Sequence, residues 1–237
     1  MRSIKILVFL LLLFPAQAFS EAKRPTPEEW LTLKGKNLIR ALSHDSLKKR
    51  QEETLLVVSD AFNERELARL ALGKYWIELN DEQKQIYSDM FIHYLVATYT
   101  NVSLPVDNIE FEIIATIPSN KDLLLKTTVK MNKGVEEGVK VNTKNELLNM
   151  SNVNTEMPFF SLNFAIRPTE ESYYIRDVQV EGKSILIFLR ESLEKQFEKD
   201  QYLPDRFLKS LRETIEDSMK IAENLEKLRE AQRQKKQ

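Results

Sequence analysis

The sequence has 237 residues, enough for one or two domains, and its 35 basic and 36 acidic side chains give a net charge of −1. It contains no cysteine and only two histidines, which excludes a disulfide scaffold and leaves few of the side chains that zinc sites use. The even charge balance gives no support for a nucleic-acid partner, because such a protein needs a basic surface against the phosphates.

The first eighteen residues predict a secretory signal peptide. Arg2 and Lys5 precede a short apolar run, and Ala16-Gln17-Ala18 forms a small-residue cleavage site. The run is far shorter than the roughly 20 apolar residues that span a bilayer, so a membrane anchor is the weaker interpretation. The sequence therefore predicts cleavage after Ala18 and export to a bacterial periplasm, where a chain without cysteine relies on a packed core.

Helical patterns fill residues from about 26 to 100. A capping box predicts that the first helix begins after Thr26, and Asn63 and Asn80 are predicted N-caps of two later helices. Gly73 lies where the helix after Asn63 is expected to end. On the last helix of this part, apolar side chains recur every four residues and form one stripe, which consists of Tyr87, Phe91, Leu95 and Tyr99.

From about residue 108 to 182 the apolar residues alternate, which predicts strands. Two strands cover 111–117 and 123–131 around a turn at Pro118, a short strand contains Val139 and Val141, and a further strand covers 160–166. The polar segment 142–158 shows no pattern that fixes its conformation or role.

The returning strand from Tyr173 to Glu181 changes phase, because Ile175 and Val178 fall on opposite sides of a regular strand. A bulge near Arg176-Asp177 would bring both side chains to one face. Asp177 is then predicted to anchor the bulge through hydrogen bonds, and a role as a buried functional acid is the weaker alternative.

A helix is predicted after Gly182, with Ser184 as its N-cap. It breaks near Pro204, and a charged helix follows, of which we expect the part before Met219 to pack on the body. The remainder is predicted to meet solvent or a partner, and the end, 231–237, to be frayed. The resulting fold class is α+β, with N-terminal helices, a four-stranded antiparallel sheet and C-terminal helices.

No catalytic pattern emerges from the sequence. It has no zinc-protease, phosphate-loop, dinucleotide or nucleophile-elbow motif. His44-Asp45-Ser46 contains the residue types of a catalytic triad, but sequence neighbours cannot adopt its geometry, and a turn between helices is predicted instead. We therefore expect no enzyme, no metal and no cofactor.

Two stretches resemble a known family. Residues 173–184 are similar to the pattern aromatic-x-I-x-D-V-x-V-E-G-x-S of the MlaC, or toluene-tolerance, family of periplasmic phospholipid-binding proteins. The second pattern, F…A-R…L-G-x-x-W…Q…F…L…Y, is matched here by Phe62, Ala68, Arg69, Leu72, Gly73, Trp76, Gln83, Phe91, Leu95 and Tyr99.

The resemblance implies one lipid-binding domain over residues 19–230, with a curved sheet like that of nuclear-transport-factor folds and an apolar cavity between sheet and helices. It implies a monomeric carrier that moves phospholipid between the inner and outer membranes, with an inner-membrane ABC transporter complex and an outer-membrane lipoprotein complex as partners. The predicted lipid contacts are Phe91, Leu95, Tyr99, Phe111, Ile113, Leu125, Phe160, Leu162, Phe164, Val178, Val180 and Phe188. The alternative is a non-enzymatic envelope adaptor or structural protein that acts through its charged C-terminal helix.

Overall fold

The computed structural model describes residues 24–100, 109–131 and 159–234. The predicted signal peptide, the short strand with Val139 and Val141, and the segment 142–158 lie outside the described residues. The helices are α1 (Pro27–Leu42), α2 (Leu47–Ala61), α3 (Glu64–Leu72), α4 (Asp81–Tyr99), α5 (Ile185–Lys199) and α6 (Pro204–Gln234). The strands are β1 (Ile109–Ser119), β2 (Asp122–Met131), β3 (Phe159–Pro168), β4 (Tyr173–Val180) and β5 (Lys183–Ser184), and a 3-10 turn, Gly73–Glu78, joins α3 to α4.

The sheet is antiparallel throughout, with the strands in chain order. The predicted α+β class and the order of helices, sheet and helices are confirmed. The sheet has five strands rather than four, because Lys183–Ser184 pairs with the end of β4 before α5 begins. Two residues are too few to show an alternating pattern, so this strand could not be predicted from periodicity.

Two bulges change which side chains face the inner side of the sheet. In β4, Ile175 pairs with Ile166 and Asp177 pairs with Ala165, so Arg176 is the extra residue and the predicted bulge is confirmed. In β1 the register shifts at Ile114, whose side chain is 65% exposed. The β4 bulge lets the apolar residues on both of its sides point to the same core. The β1 bulge instead brings Thr116 to the inner face opposite Leu125 and leaves Ile117 40% exposed.

The predicted N-caps are also confirmed. In each, the side-chain oxygen accepts the N–H of the residue three positions later, and the caps are Thr26, Asn63, Asn80 and Ser184. Gly73 ends α3 with a φ of +62°, and a Cβ there would lie 3.0 Å from Cδ of Arg190. Arg190 belongs to α5 and donates from Nη2 to the Leu70 carbonyl at 2.6 Å, so α5 is fixed against the end of α3.

The described core has two parts. A helical cluster joins α3, the 3-10 turn, α4, α5 and α6 around the buried aromatic rings Tyr75, Tyr87, Phe91, Tyr94, Phe197 and Phe207. A sheet cluster joins α1 and the end of α2 to the sheet through Trp30, Leu31, Ala61, Leu125, Ile166 and Ile175. Phe62 contacts both clusters, and a bridge between Phe62 and Ile175 connects the α2–α3 junction to β4.

Helix α6 packs on the body further than predicted. Leu208 and Leu211 are buried, and Ala222, three residues beyond Met219, is only 3% exposed. The segment predicted to fray at residue 231 is helical as far as Gln234. Within the described ranges, no helix is long and apolar enough to cross a membrane.

Candidate functional site

The inner face of the sheet carries eight of the residues predicted to contact lipid. Partners in an antiparallel register share a face, and the pairs Phe111–Val129, Val129–Phe160, Leu125–Phe164 and Phe164–Val178 run across four strands. Leu162 pairs with Val180 on the same face. The predicted residues that share this inner face are Phe111, Ile113, Leu125, Phe160, Leu162, Phe164, Val178 and Val180.

Helix α1 covers one end of this face. Trp30 and Leu31 pack with Leu125 in the sheet cluster, and the Trp30 ring lies 5.7 Å from that of Tyr173. Thr116 on β1 donates a hydrogen bond to the carboxylate of Glu28 on α1, and this bond lowers the pKa of Glu28. Helix α1 is thus held to β1 by a polar contact as well as by apolar packing.

Coverage is incomplete toward the other end of the inner face. Phe160, Leu162 and Val180 are only partly buried, and they lie outside the sheet cluster defined among the described residues. Phe111 and Phe164 contact each other edge to face, with ring centroids 6.0 Å apart, and are also partly buried. This end of the sheet therefore presents a continuous apolar surface that the described helices do not fully cover.

The remaining predicted residues lie elsewhere. Phe91 is fully buried in the helical cluster, with its ring 5.7 Å from Tyr87 and 6.4 Å from Tyr94. Phe91 therefore packs among helices and does not face the inner side of the sheet. Leu95 packs against the same helical cluster, the side chain of Tyr99 lies outside the described residues, and Phe188 is 42% exposed near the start of α5.

A charged cluster that the sequence did not predict joins the sheet to α3. Asp122 accepts from Arg176 at 2.9 Å and also from Arg167, while Nε of Arg176 lies 3.0 Å from Oε1 of Glu66. The Tyr174 hydroxyl donates to Oε2 of Glu66 at 2.5 Å. These residues come from four separate elements, and no local pattern in the sequence brings them together.

The cluster shifts three pKa values, and the hydrogen bond to Asp122 is the main reason why the pKa of Arg167 is raised. Burial raises the pKa of Asp122, but the hydrogen bonds and charges of Arg167 and Arg176 outweigh it, so the net pKa falls below the ordinary 3.8. Burial, followed by the hydrogen bond to Glu66, raises the pKa of Tyr174. Asp122 is therefore held as a carboxylate between two guanidinium groups.

Asp177 stabilises the start of α5 rather than the bulge. Its Oδ1 accepts from the Ser184 hydroxyl at 2.9 Å and from the Leu186 N–H at 3.3 Å. Helix α5 has no acidic residue in its first turn, so this strand residue supplies the negative charge near its N-terminus. The acid inside an apolar strand thus connects the hairpin to the helix that follows.

The described residues contain no group of three or more side chains suited to hold a metal ion. Nε2 of His44 lies 2.8 Å from Oε1 of Glu53 across the α1–α2 turn, while His93 is exposed on α4. Ser46 is the N-cap residue of α2, as a turn between helices requires.

The fold belongs to a class of helix-covered antiparallel-sheet proteins that includes a phospholipid-binding protein from Ralstonia solanacearum, solved in complex with a phospholipid. The TM-score is 0.60 at 13% identity, over 79% of this chain and 96% of that one. The MlaC protein family model matches residues 36–149, and this match supports the predicted resemblance to the MlaC family. No curated protein matches the sequence.

Proposed function

We propose that this protein is a periplasmic phospholipid carrier without enzymatic activity. The observation that carries the proposal is the apolar inner face of the sheet, which remains partly exposed around Phe160, Leu162 and Val180. The match to the MlaC family model over residues 36–149 and the fold shared with a phospholipid-bound protein add support.

The energetic requirement on such a carrier is large. Transfer of an acyl chain out of water is favourable by about 0.8 kcal/mol per CH₂. For ~14 methylenes, exposure of the chain to water would therefore cost roughly 11 kcal/mol. We propose that the acyl chains pack on the partly exposed aromatic and branched side chains of the inner face. The proposed contacts are Phe111, Ile113, Leu125, Phe160, Leu162, Phe164, Val178 and Val180.

Transport itself needs no chemical step. We propose passive shuttling between an inner-membrane ABC transporter complex and an outer-membrane lipoprotein complex, with the carrier as a monomer. Phe91, Leu95, Tyr99 and Phe188 remain proposed contacts from the helical side.

Native mass spectrometry of protein purified from a bacterial periplasm tests the proposal. The wild type should carry a phospholipid, and Leu162→Trp should lower the bound fraction with little loss of stability, because the partly exposed site has room for the ring. The matched control is Ile114→Trp, since Ile114 lies at the bulge with its side chain 65% exposed and should leave lipid binding unchanged.

Leu125→Trp provides the contrast in stability. Leu125 is fully buried in the sheet cluster, so the larger ring should overpack and cost on the order of 1–3 kcal/mol. Two results together would show that the inner face is an ordinary core: the wild type carries no lipid, and Leu162→Trp loses as much stability as Leu125→Trp does. The adaptor alternative, in which α6 acts through exposed residues such as Ile221, would then be favoured.

A further inference from the structure

An open groove lies on the helical part of the molecule, away from the inner face of the sheet. It has a volume of about 290 Å³ and is formed by the start of α3 and the 3-10 turn. Its lining residues are Asn63, Arg65, Glu66, Arg69 and Trp76.

The acid in this groove is already engaged. One carboxylate oxygen of Glu66 lies 3.0 Å from Arg176, and the other accepts from the Tyr174 hydroxyl at 2.5 Å. Arg65 and Arg69, by contrast, form no ion pair with any carboxylate in the described part of the chain. The groove therefore presents two guanidinium groups to a ligand, with its own carboxylate neutralised.

Asn63 adds neutral donors to this surface. Its side-chain oxygen accepts the Glu66 N–H at 2.9 Å as the cap of α3. The amide N–H₂ is thus the part of the side chain left to contact a ligand, and it can only donate. Asn63, Arg65 and Arg69 thus all offer hydrogen-bond donors to a ligand, which suits an acceptor-rich anion.

Trp76 provides a fixed aromatic surface beside these charges. Its ring meets Tyr87 edge to face with centroids 6.2 Å apart, and Tyr87 is fully buried in the helical cluster. The cationic groups of Arg65 and Lys84 lie 5.9 and 6.0 Å from the Trp76 ring centre. Since its contact with Tyr87 holds the ring in place, an apolar group can pack on it at little entropic cost.

We propose that this groove binds an acidic peptide segment of a partner protein. Arg65 and Arg69 are four residues apart on α3, so their guanidinium groups lie on the same side of the helix, one turn apart. Each can pair with a carboxylate through two parallel hydrogen bonds, while an apolar side chain of the peptide packs on Trp76. This interaction goes beyond lipid carriage and uses none of the proposed lipid contacts.

The neighbouring charges favour a peptide over an anionic membrane. Ile77 follows Trp76 and is 79% exposed, as an inserting side chain would be. However, Glu78, Asp81 and Glu82 follow it closely and are also exposed. A bilayer with a negative surface would be repelled by these carboxylates, whereas a short segment seated in the groove can avoid them.

The test uses a fluorescein-labelled peptide of four Asp-Leu-Gly repeats, titrated with the full-length protein and followed by anisotropy. We expect saturable binding that weakens as salt increases. Arg69→Glu should weaken it at least tenfold, which corresponds to about 1.4 kcal/mol, and Arg69→Gln should weaken it less. Arg212→Glu is the matched control, because Arg212 is exposed on α6 and makes the same charge change away from the groove.

The proposal is overturned if the peptide shows no saturable binding, or if Arg212→Glu weakens binding as much as Arg69→Glu does. It is also overturned if vesicles of phosphatidylglycerol bind in an Arg69-dependent way and the peptide does not, since the groove would then be a membrane site. Lipid co-purified with Arg69→Glu should equal that of the wild type, so failure of the groove and failure of lipid carriage are separate results.

Discussion

Replacing Asp177 by alanine should destabilise the protein by separating the hairpin from α5. In the structure, one carboxylate oxygen of Asp177 accepts from the Ser184 hydroxyl at 2.9 Å and from the Leu186 N–H at 3.3 Å. The substitution removes both acceptor contacts and leaves a helix N-terminus without a nearby negative charge.

The size of the effect follows from these contacts. A hydrogen bond contributes about 0.5–1.5 kcal/mol net, and more when one partner is charged. The longer bond to Leu186 and the partial exposure of Asp177 place each contribution toward the lower end. A negative charge near a helix N-terminus adds about 0.3–1 kcal/mol. The expected loss is roughly 2 kcal/mol, or ~4–8 °C in Tm for a chain of this size.

Urea unfolding followed by far-UV circular dichroism measures the loss of unfolding free energy. Two further variants separate the contributions of the charge and of the hydrogen bonds. Asp177→Asn keeps an acceptor oxygen but removes the charge, so it should lose only about 0.3–1 kcal/mol. Ser184→Ala removes the N-cap and should lose about 1 kcal/mol. Because Ser184 and Asp177 bond to each other, the double variant should lose less than the sum of the single losses.

An unfolding free energy for Asp177→Ala that equals the wild-type value would refute this reasoning. Equal losses for Asp177→Asn and Asp177→Ala would mean that charge alone matters and that the hydrogen bonds contribute nothing measurable. Strict additivity with Ser184→Ala would show that the contact between the two side chains is absent in solution.

Three further predictions concern other parts of the molecule. Gly73→Ala should lower the free energy of unfolding more than Gly182→Ala does. Both positions have a positive φ, but an added Cβ would contact neighbouring atoms only at Gly73. Urea unfolding of the two variants measures the difference. In Asp122→Asn, the unfolding free energy should fall less steeply than in the wild type as the pH drops below about 4. A carboxyl with a lowered folded-state pKa stabilises the fold above its ordinary pKa and loses that contribution as pH falls. The same dependence of unfolding free energy on pH in both proteins would contradict this. Exported protein should begin at Phe19 on N-terminal sequencing, and a mature chain that retains the leader would contradict the predicted cleavage.

The sequence predicted those parts of the fold that local chemistry decides. A capping side chain and its amide lie three residues apart, so Thr26, Asn63, Asn80 and Ser184 could each be found without knowledge of the tertiary structure. The β4 bulge was predictable because one inserted residue is the simplest way to shift the phase of an alternating strand. The shared inner face of the sheet followed from the same period.

The rest depends on contacts between distant elements. Apolar spacing on α4 identified a buried stripe but not its partner, and Phe91 packs against helices instead of the sheet. The pairing of Glu66 with Arg176 and Tyr174 joins residues more than one hundred positions apart. The groove around Trp76 likewise depends on the placement of a 3-10 turn against α3, which no periodicity specifies.

The two bulges have a consequence for the divergence of related chains. In a relative that lacks the extra residue at Arg176, the side chains of Tyr173 and Ile175 would both point to the other face of the sheet. The fold tolerates such a deletion only if polar and apolar residues exchange places along that end of the strand at the same time. In related sequences, deletion of the residue at position 114 or 176 should therefore occur together with an exchange of polar and apolar residues along the strand on one side of the deletion. Relatives that keep the residue should also keep the alternation seen here.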